Sequence, residues 1–238
     1  MPFARKGPER LSTFSDGVFA VLITVLVLEL RPPEVPTIKA LLSLWPTWLS
    51  YAVSYLFIAI VWAKHHHLMR YSTETTPRLM WFNFAHLFSV SLLPLSTAWM
   101  ATSELAPQPV AFYAAIFFLV NATYICLIHE LIDRAPVDDV SPRERRIMRV
   151  RSIVTLCVFG AAALVALKFP LIGLGMCVCC LIVYLKPEAR EQVSKRSRYV
   201  SSIPPDLSVK ARGNLIRPVP SSFPQLPPLN QSGRGMVH

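Results

Sequence analysis

Charge is what this sequence has little of. Only 16% of its 238 residues are Asp, Glu, Lys or Arg, against roughly 25% in an average soluble domain, so a water-facing globular surface is excluded for most of the chain. Glycine is scarce as well, at 8 residues, and there is no Gly-rich phosphate loop, nucleophile motif or internal repeat. Cys126, Cys157, Cys177, Cys179 and Cys180 are the five cysteines. All fall inside apolar stretches rather than between them, which argues against a disulfide framework or a zinc site and leaves packing as their role. No paired carboxylates or nucleophile with its base converge, so neither an enzyme nor a cofactor is indicated.

What the sequence has instead is apolar length. Hydrophobic residues make up 53% of it and its mean hydropathy is +0.43. Crossing a hydrocarbon core takes roughly 20 residues of helix, and six stretches approach that: Phe14–Leu30, Trp48–Leu68, Leu79–Ala101, Val110–Ile132, Ile147–Leu167 and Leu171–Leu185. The expected fold is therefore all-α and membrane-embedded, with a short N-terminus over residues 1–13, a six-helix region over 14–186 and a disordered tail rich in Pro, Ser and basic residues over 187–238. The first stretch lacks a small-residue cleavage site and carries Asp16 and Glu29, so it reads as a retained helix rather than a removable signal.

Basic residues set the orientation. Arg5, Lys6 and Arg10 precede the first span, Lys64, Arg70 and Arg78 surround the second connection, and Arg134, Arg143, Arg145, Arg146, Arg149 and Arg151 fill or flank the fourth. The intervening connections hold only Arg31, Lys39 and Lys168. The positive-inside rule then puts both termini in the cytoplasm, in agreement with an even number of spans. The formal net charge of +10 is explained by attraction to anionic lipid heads rather than by nucleic acid. Trp45, Trp48, Trp81 and Trp99 lie near span ends and need only the membrane-interface explanation.

The first span carries the most information. At about 100° per residue, Val21, Thr24, Val25 and Leu28 fall within a sector of roughly 100°. Ordinary helix packing and a pore lining both explain that stripe. Asp16 lies about 140° away from Val21 on the same wheel, and an intramembrane acid is costly, so it requires a partner from another helix or subunit. Glu29 lies at the opposite end, where it either faces an outer vestibule or sits in interfacial water beside Arg31. His65, His66 and His67 point about 100° apart on a helix and cannot all grip one ion; a histidine near the cytoplasmic side is a candidate pH sensor. The Thr24 hydroxyl has two readings as well, a polar pore ring or a bond back to its own helix.

The string Arg10-x3-Phe14-Ser15-Asp16-Gly17-Val18-Phe19-Ala20, followed by Thr24-Val25-Leu26-Val27-Leu28-Glu29, closely resembles the first-helix signature of the bacterial branch of the transmembrane protein 175 potassium channels, whose animal relatives serve endosomes and lysosomes. Trp62-Ala-Lys-His65-His66-His67-Leu68-Met-Arg70 resembles the end of that family's second helix, and Leu79-x3-Asn83 with Leu92-Leu93-Pro94-Leu95-x-Thr97 resembles its third. The resemblance covers most of residues 10–186. It implies a homotetramer in the cell membrane, with first helices lining a potassium-permeable pore and no Thr-Val-Gly-Tyr-Gly filter loop, which is absent here. By position it puts the constriction at Val21, further pore layers at Val25 and Leu28, and the polar ring at Thr24. It also gathers Arg10, Ser15, Asp16, a helix-two histidine (His65 or His66) and Asn83 into a polar network near the cytoplasmic side.

A ring of branched apolar side chains makes a neck that sets conductance by partial dehydration, and potassium holds its water less tightly than sodium. Val21 is smaller than the Ile or Leu common in the family, which leaves a wider neck and a weakly selective cation channel open. Proton conduction is implied only through the animal relatives. The competing readings are a secondary cation transporter, which an inverted repeat or broken helices would mark, and a non-conducting membrane scaffold whose first helix merely packs.

Overall fold

The computed structural model describes residues 6–72, 74–132 and 142–184. Residues 1–5, Arg134 and the expected tail over 187–238 lie outside the described residues. Helices α1 (Lys6–Leu28), α2 (Ile38–Ser43), α3 (Trp45–Met69), α4 (Pro77–Ser91), α5 (Leu93–Thr102), α6 (Pro107–Ile132) and α7 (Pro142–Ala166) are followed by α8 (Pro170–Tyr184), and there is no strand among the described residues. Among the described residues five segments are long and apolar enough to cross a membrane, with α4 and α5 counted as one over Pro77–Thr102, and α8 is a shorter apolar helix.

Proline fixes where most of these helices begin. Pro46, Pro77, Pro94, Pro107, Pro142 and Pro170 each stand at the first or second residue of a helix, where the missing N–H would have no intrahelical acceptor and the locked φ is already helical. Thr76 strengthens the start of α4, its hydroxyl accepting from the Leu79 N–H at 3.1 Å. Pro94 has the converse effect on the helix before it. Unable to donate to the Val90 carbonyl, it ends α4 at Ser91 and α5 starts at Leu93, so the expected single helix over Leu79–Ala101 is two pieces with Leu92 at the joint. The connection after the first span also differs from expectation, since it contains α2, opened by the Thr37 hydroxyl accepting from the Ala40 N–H at 3.2 Å.

Helix α1 packs on α3, α4 and α5, while α6 packs on α7, α4, α5 and α3. The core is apolar and aromatic. Phe57 of α3 stacks on Phe117 of α6 with ring centroids 3.6 Å apart, and Phe159 of α7 meets both rings edge-on, an arrangement that aligns ring edges with ring faces. Because lipid is as apolar as these side chains, helix association in a membrane depends on close packing and interhelical hydrogen bonds rather than on expelling water. Both are present. A Cβ added at Gly173 of α8 would lie 2.6 Å from the Ala166 Cβ and 2.7 Å from the Ala162 carbonyl of α7, so this crossing requires glycine. Ser54 of α3 bonds Thr97 of α5 at 2.7 Å and Tyr113 of α6 at 2.8 Å.

The end of the bundle where α6 finishes and α4 and α7 begin is tied by charge. Glu130, buried near the end of α6, receives the Arg78 side chain at 3.3 Å beside the start of α4, and Arg145 of α7 donates to the Ile132 carbonyl that ends α6. All five cysteines are free thiols; Cys177 belongs to the core, whereas Cys126, Cys157 and Cys179 are exposed.

Candidate functional site

Helix α1 has two unlike faces. Leu11, Ser15, Phe19, Leu22 and Leu26 recur every three or four residues and are buried against α3, α4 and α5, Phe19 at 1% exposure and Leu26 at 0%. The opposite face carries the sequence-predicted stripe. Val21 is 59% exposed, Val25 37% and Leu28 76%, and Thr24 is exposed between them. Phe14 and Gly17 belong to the same uncovered face, seven and four residues before Val21. Nothing lies within 4 Å of a Cβ added at Gly17. An apolar helix face left uncovered along the length of a membrane-spanning segment points either to lipid or to another copy of the chain.

The Thr24 hydroxyl donates to the Val21 carbonyl at 2.7 Å, which commits its hydrogen to the helix and leaves its oxygen lone pairs available on the uncovered face. The bond back to its own helix, one of the two sequence readings of this residue, is thus present.

Behind the uncovered face stands a chain of hydrogen bonds whose direction can be worked out. Ser15 donates to the Leu11 carbonyl at 2.9 Å, closer than its alternative acceptor, the Asn83 Oδ1 at 3.4 Å. Its oxygen therefore accepts from Asn83 Nδ2 at 3.0 Å, and Asn83 Oδ1 accepts from His65 Nε2 at 2.7 Å. All three side chains are fully buried. His65 is thereby held as the Nε2–H tautomer, its ring parallel to that of His86 on α4 with centroids 5.7 Å apart.

Asp16 belongs to a second, half-exposed group. Its Oδ1 accepts from the Trp62 indole at 2.8 Å and lies 3.9 Å from His66 Nδ1, and the Trp62 and His66 rings face each other at 5.6 Å. The sequence expectation of a partner from another helix is met by an indole of α3 that had no assigned role. The structure does not bring Arg10 into either group; it stands exposed on α1. The three consecutive histidines go to three places, His65 to Asn83, His66 towards Asp16 and His67 edge-on to Tyr71. Among the described residues no group of three His, Cys, Asp or Glu side chains is placed to hold a metal ion.

At the far end of α1, Glu29 is exposed and lines a cavity of about 850 Å³ together with Arg31, Glu34, Trp45, Thr97 and Glu104. The cavity's backbone frame includes a left-handed turn, with φ of 51° at Glu104 and 62° at Leu105. There the N–H of Leu105 returns to the Met100 carbonyl at 3.1 Å and closes α5 without a glycine.

Comparison with known proteins bears on both groups. The family model described as endosomal/lysosomal potassium channel TMEM175 matches residues 10–94, a stretch that contains the whole of the uncovered face and the networks around Ser15 and Asp16. A potassium channel of Chryseobacterium sp. (strain P1-3) is 30% identical over 185 residues, covering 78% of this chain and 96% of that protein. The endosomal/lysosomal proton channel TMEM175 of Gallus gallus is 30% identical over 63% of this chain, which spans 34% of that longer protein. The crystal structure of a lysosomal potassium-selective channel TMEM175 homolog from Chamaesiphon minutus matches this fold with a TM-score of 0.67 at 27% identity, covering 75% of this chain and 96% of that one. On the match to the Chryseobacterium channel over nearly its full length, this all-helical, multi-pass membrane protein belongs to the TMEM175 ion channel family.

Proposed function

We propose that this chain is one subunit of a potassium-permeable, leak-type channel in which four copies set their α1 helices around a common axis. The observation that carries the reading is the asymmetry of α1, apolar and uncovered at Val21, Val25 and Leu28 while its other face is sealed into the bundle. Such a face, repeated around an axis, forms a narrow apolar neck at Val21 with further layers at Val25 and Leu28. An ion passing it sheds part of its water. The Thr24 oxygens form the hydroxyl ring between those layers, and Glu29 lines the outer vestibule, where its carboxylate raises the local concentration of cations. The arginine distribution supports a cell-membrane subunit with both termini cytoplasmic. Its partners are then its own copies, the bilayer and the permeant potassium ion, with no cofactor and no nucleic acid.

Proton conduction is the second reading, favoured by the Gallus gallus relative, which is named a proton channel. The network of Ser15, Asn83 and His65 supports the first reading by fixing the rotation of α1: it holds the Ser15 side of the helix inward and so turns the Val21 side outward.

The deciding experiment is reconstitution of purified protein into liposomes, with potassium and sodium flux recorded for wild type, Val21→Ala and Val21→Phe. A size-limited pore predicts potassium passing in preference to sodium in wild type, faster flux or weaker preference in Val21→Ala, and block in Val21→Phe. Flux that requires a second coupled ion would replace the channel by a transporter, and the absence of flux in all three would leave a scaffold.

A further inference from the structure

A small, mainly apolar cavity with several polar side chains in its wall lies inside the subunit, away from the uncovered face. Set between α3, α4, α6, α7 and α8, it is lined by Lys64, His86, Asn121, Tyr124, Thr155 and Tyr184, with Phe57 and Phe159 in its apolar wall and no residue of α1. The hydrogens in this lining can be assigned. Thr123 donates its hydroxyl to a carbonyl of its own helix, Val120 at 2.9 Å or Leu119 at 3.1 Å. With that hydrogen committed, the Thr123 oxygen accepts from His86 Nδ1, 3.0 Å away. A neutral imidazole that carries its hydrogen on Nδ1 presents a bare lone pair at Nε2. His86 is 0% exposed, and its Nε2 has no hydrogen-bond partner among the described residues. Buried polar atoms are seldom left in that condition.

The cavity that His86 lines is small. The centre of a water-sized sphere has about 20 Å³ to occupy, and one water takes roughly 10–15 Å³ by that measure. We propose that this cavity is an internal hydration site in which water donates to His86 Nε2 and bonds onward to the polar groups around it. Chemistry narrows the ligand to water. It must donate to a lone pair, which an anion cannot do. It must also tolerate the Lys64 ammonium on the same wall, held 3.6 Å over the Tyr184 ring whose other neighbour is Arg151 at 4.9 Å, and a second cation would be repelled there. An organic molecule much larger than water exceeds the room at its centre. The surrounding bonds show what such a water would connect. Asn121 of α6 donates to the Ser152 carbonyl of α7 at 2.8 Å, and Thr155 of α7 bonds the Tyr184 hydroxyl of α8. Water at His86 joins α4 to that layer.

Two measurements on the intact protein in lipid nanodiscs test the site. The first is a structure at a resolution that shows ordered water, for wild type and for His86→Phe, which keeps a ring but removes the acceptor. The second is nitrogen-15 NMR of histidine-labelled wild type, with magnetisation transferred from water. The proposal expects density within hydrogen-bond reach of Nε2 in wild type, its loss in His86→Phe, and an unprotonated Nε2 that gains signal from water protons. An Nε2 that carries its own hydrogen, or that receives the Lys64 ammonium or the Tyr124 hydroxyl directly with no transfer from water, would overturn it. Should His86→Phe fail to fold, the wild-type spectrum alone decides between these outcomes.

Discussion

Thr24 divides its hydroxyl between two tasks, with the hydrogen directed at the Val21 carbonyl and the lone pairs left facing the uncovered side of α1. That division makes a specific prediction about selectivity. Thr24→Val keeps the shape and removes the oxygen, so potassium flux should persist while the potassium-to-sodium permeability ratio falls; Thr24→Ser should keep the ratio near wild type. Reversal potentials in bilayers under bi-ionic conditions measure this, and an unchanged ratio in Thr24→Val would remove Thr24 from the selectivity mechanism. Asn83 makes the complementary case on the buried side. Its amide accepts from His65 and donates to Ser15, so Asn83→Leu strands the buried His65 N–H. Leaving one such group unsatisfied costs about 1–3 kcal/mol in general, and interhelical hydrogen bonds within membranes average nearer 0.6 kcal/mol. A loss of about 1 kcal/mol, measured as the free energy of unfolding in mixed micelles, is therefore expected for Asn83→Leu. These residue-level contacts were only partly legible in the sequence. The Val21 stripe follows from one helix and its 3.6-residue period, whereas the indole on Asp16 and the ring-on-ring contact of His65 with His86 depend on the relative rotation of two helices, which no single-helix pattern encodes.

Elements were legible to the extent that the bilayer dictates them. A membrane needs long uninterrupted apolar stretches, so the spans after the first stand within a few residues of where hydropathy puts them. Two features escaped that signal for physical reasons. Helix α2 is six residues long and buries none of them, so it leaves no hydropathy trace, although Thr37 followed by helix-forming residues is a capping signal. The joint at Leu92 escaped because proline is tolerated inside membrane helices; the recurrence of proline at helix starts would have marked it. At this scale the α7–α8 crossing gives the sharpest prediction. Gly173→Ala drives a methyl to 2.6 Å from the Ala166 Cβ and 2.7 Å from a backbone carbonyl, neither of which can swing aside, and overpacking of this kind costs about 1–3 kcal/mol. Gly175→Ala meets nothing within 4 Å and serves as its control. Thermal unfolding in the same detergent should show a lower midpoint for Gly173→Ala and none for Gly175→Ala; equal midpoints would mean that α7 and α8 do not cross this closely.

For the whole molecule the question is what covers α1. Within one chain, Gly17 has no structural requirement: no positive φ falls on it and an added Cβ touches nothing. Glycine in a helix interior is nonetheless about 1 kcal/mol worse than alanine, so its presence on the uncovered face is unexplained by the subunit alone. The proposed packing of neighbouring copies of α1 around a common axis would explain it, because a residue without a side chain lets helices or ions approach closely one turn before Val21. Gly17→Leu separates the two situations. If α1 faces lipid, the substitution adds helix propensity and apolar surface, and the protein should be at least as stable as wild type with its behaviour unchanged. If α1 lines a shared axis, four leucines crowd the layer beneath Val21, and potassium flux from liposomes should fall at least tenfold while the helical circular dichroism of the subunit stays the same. Native mass spectrometry of the same samples divides the second case further. A tetramer that no longer conducts places Gly17 on the ion path, and a loss of the tetramer places it where helices touch.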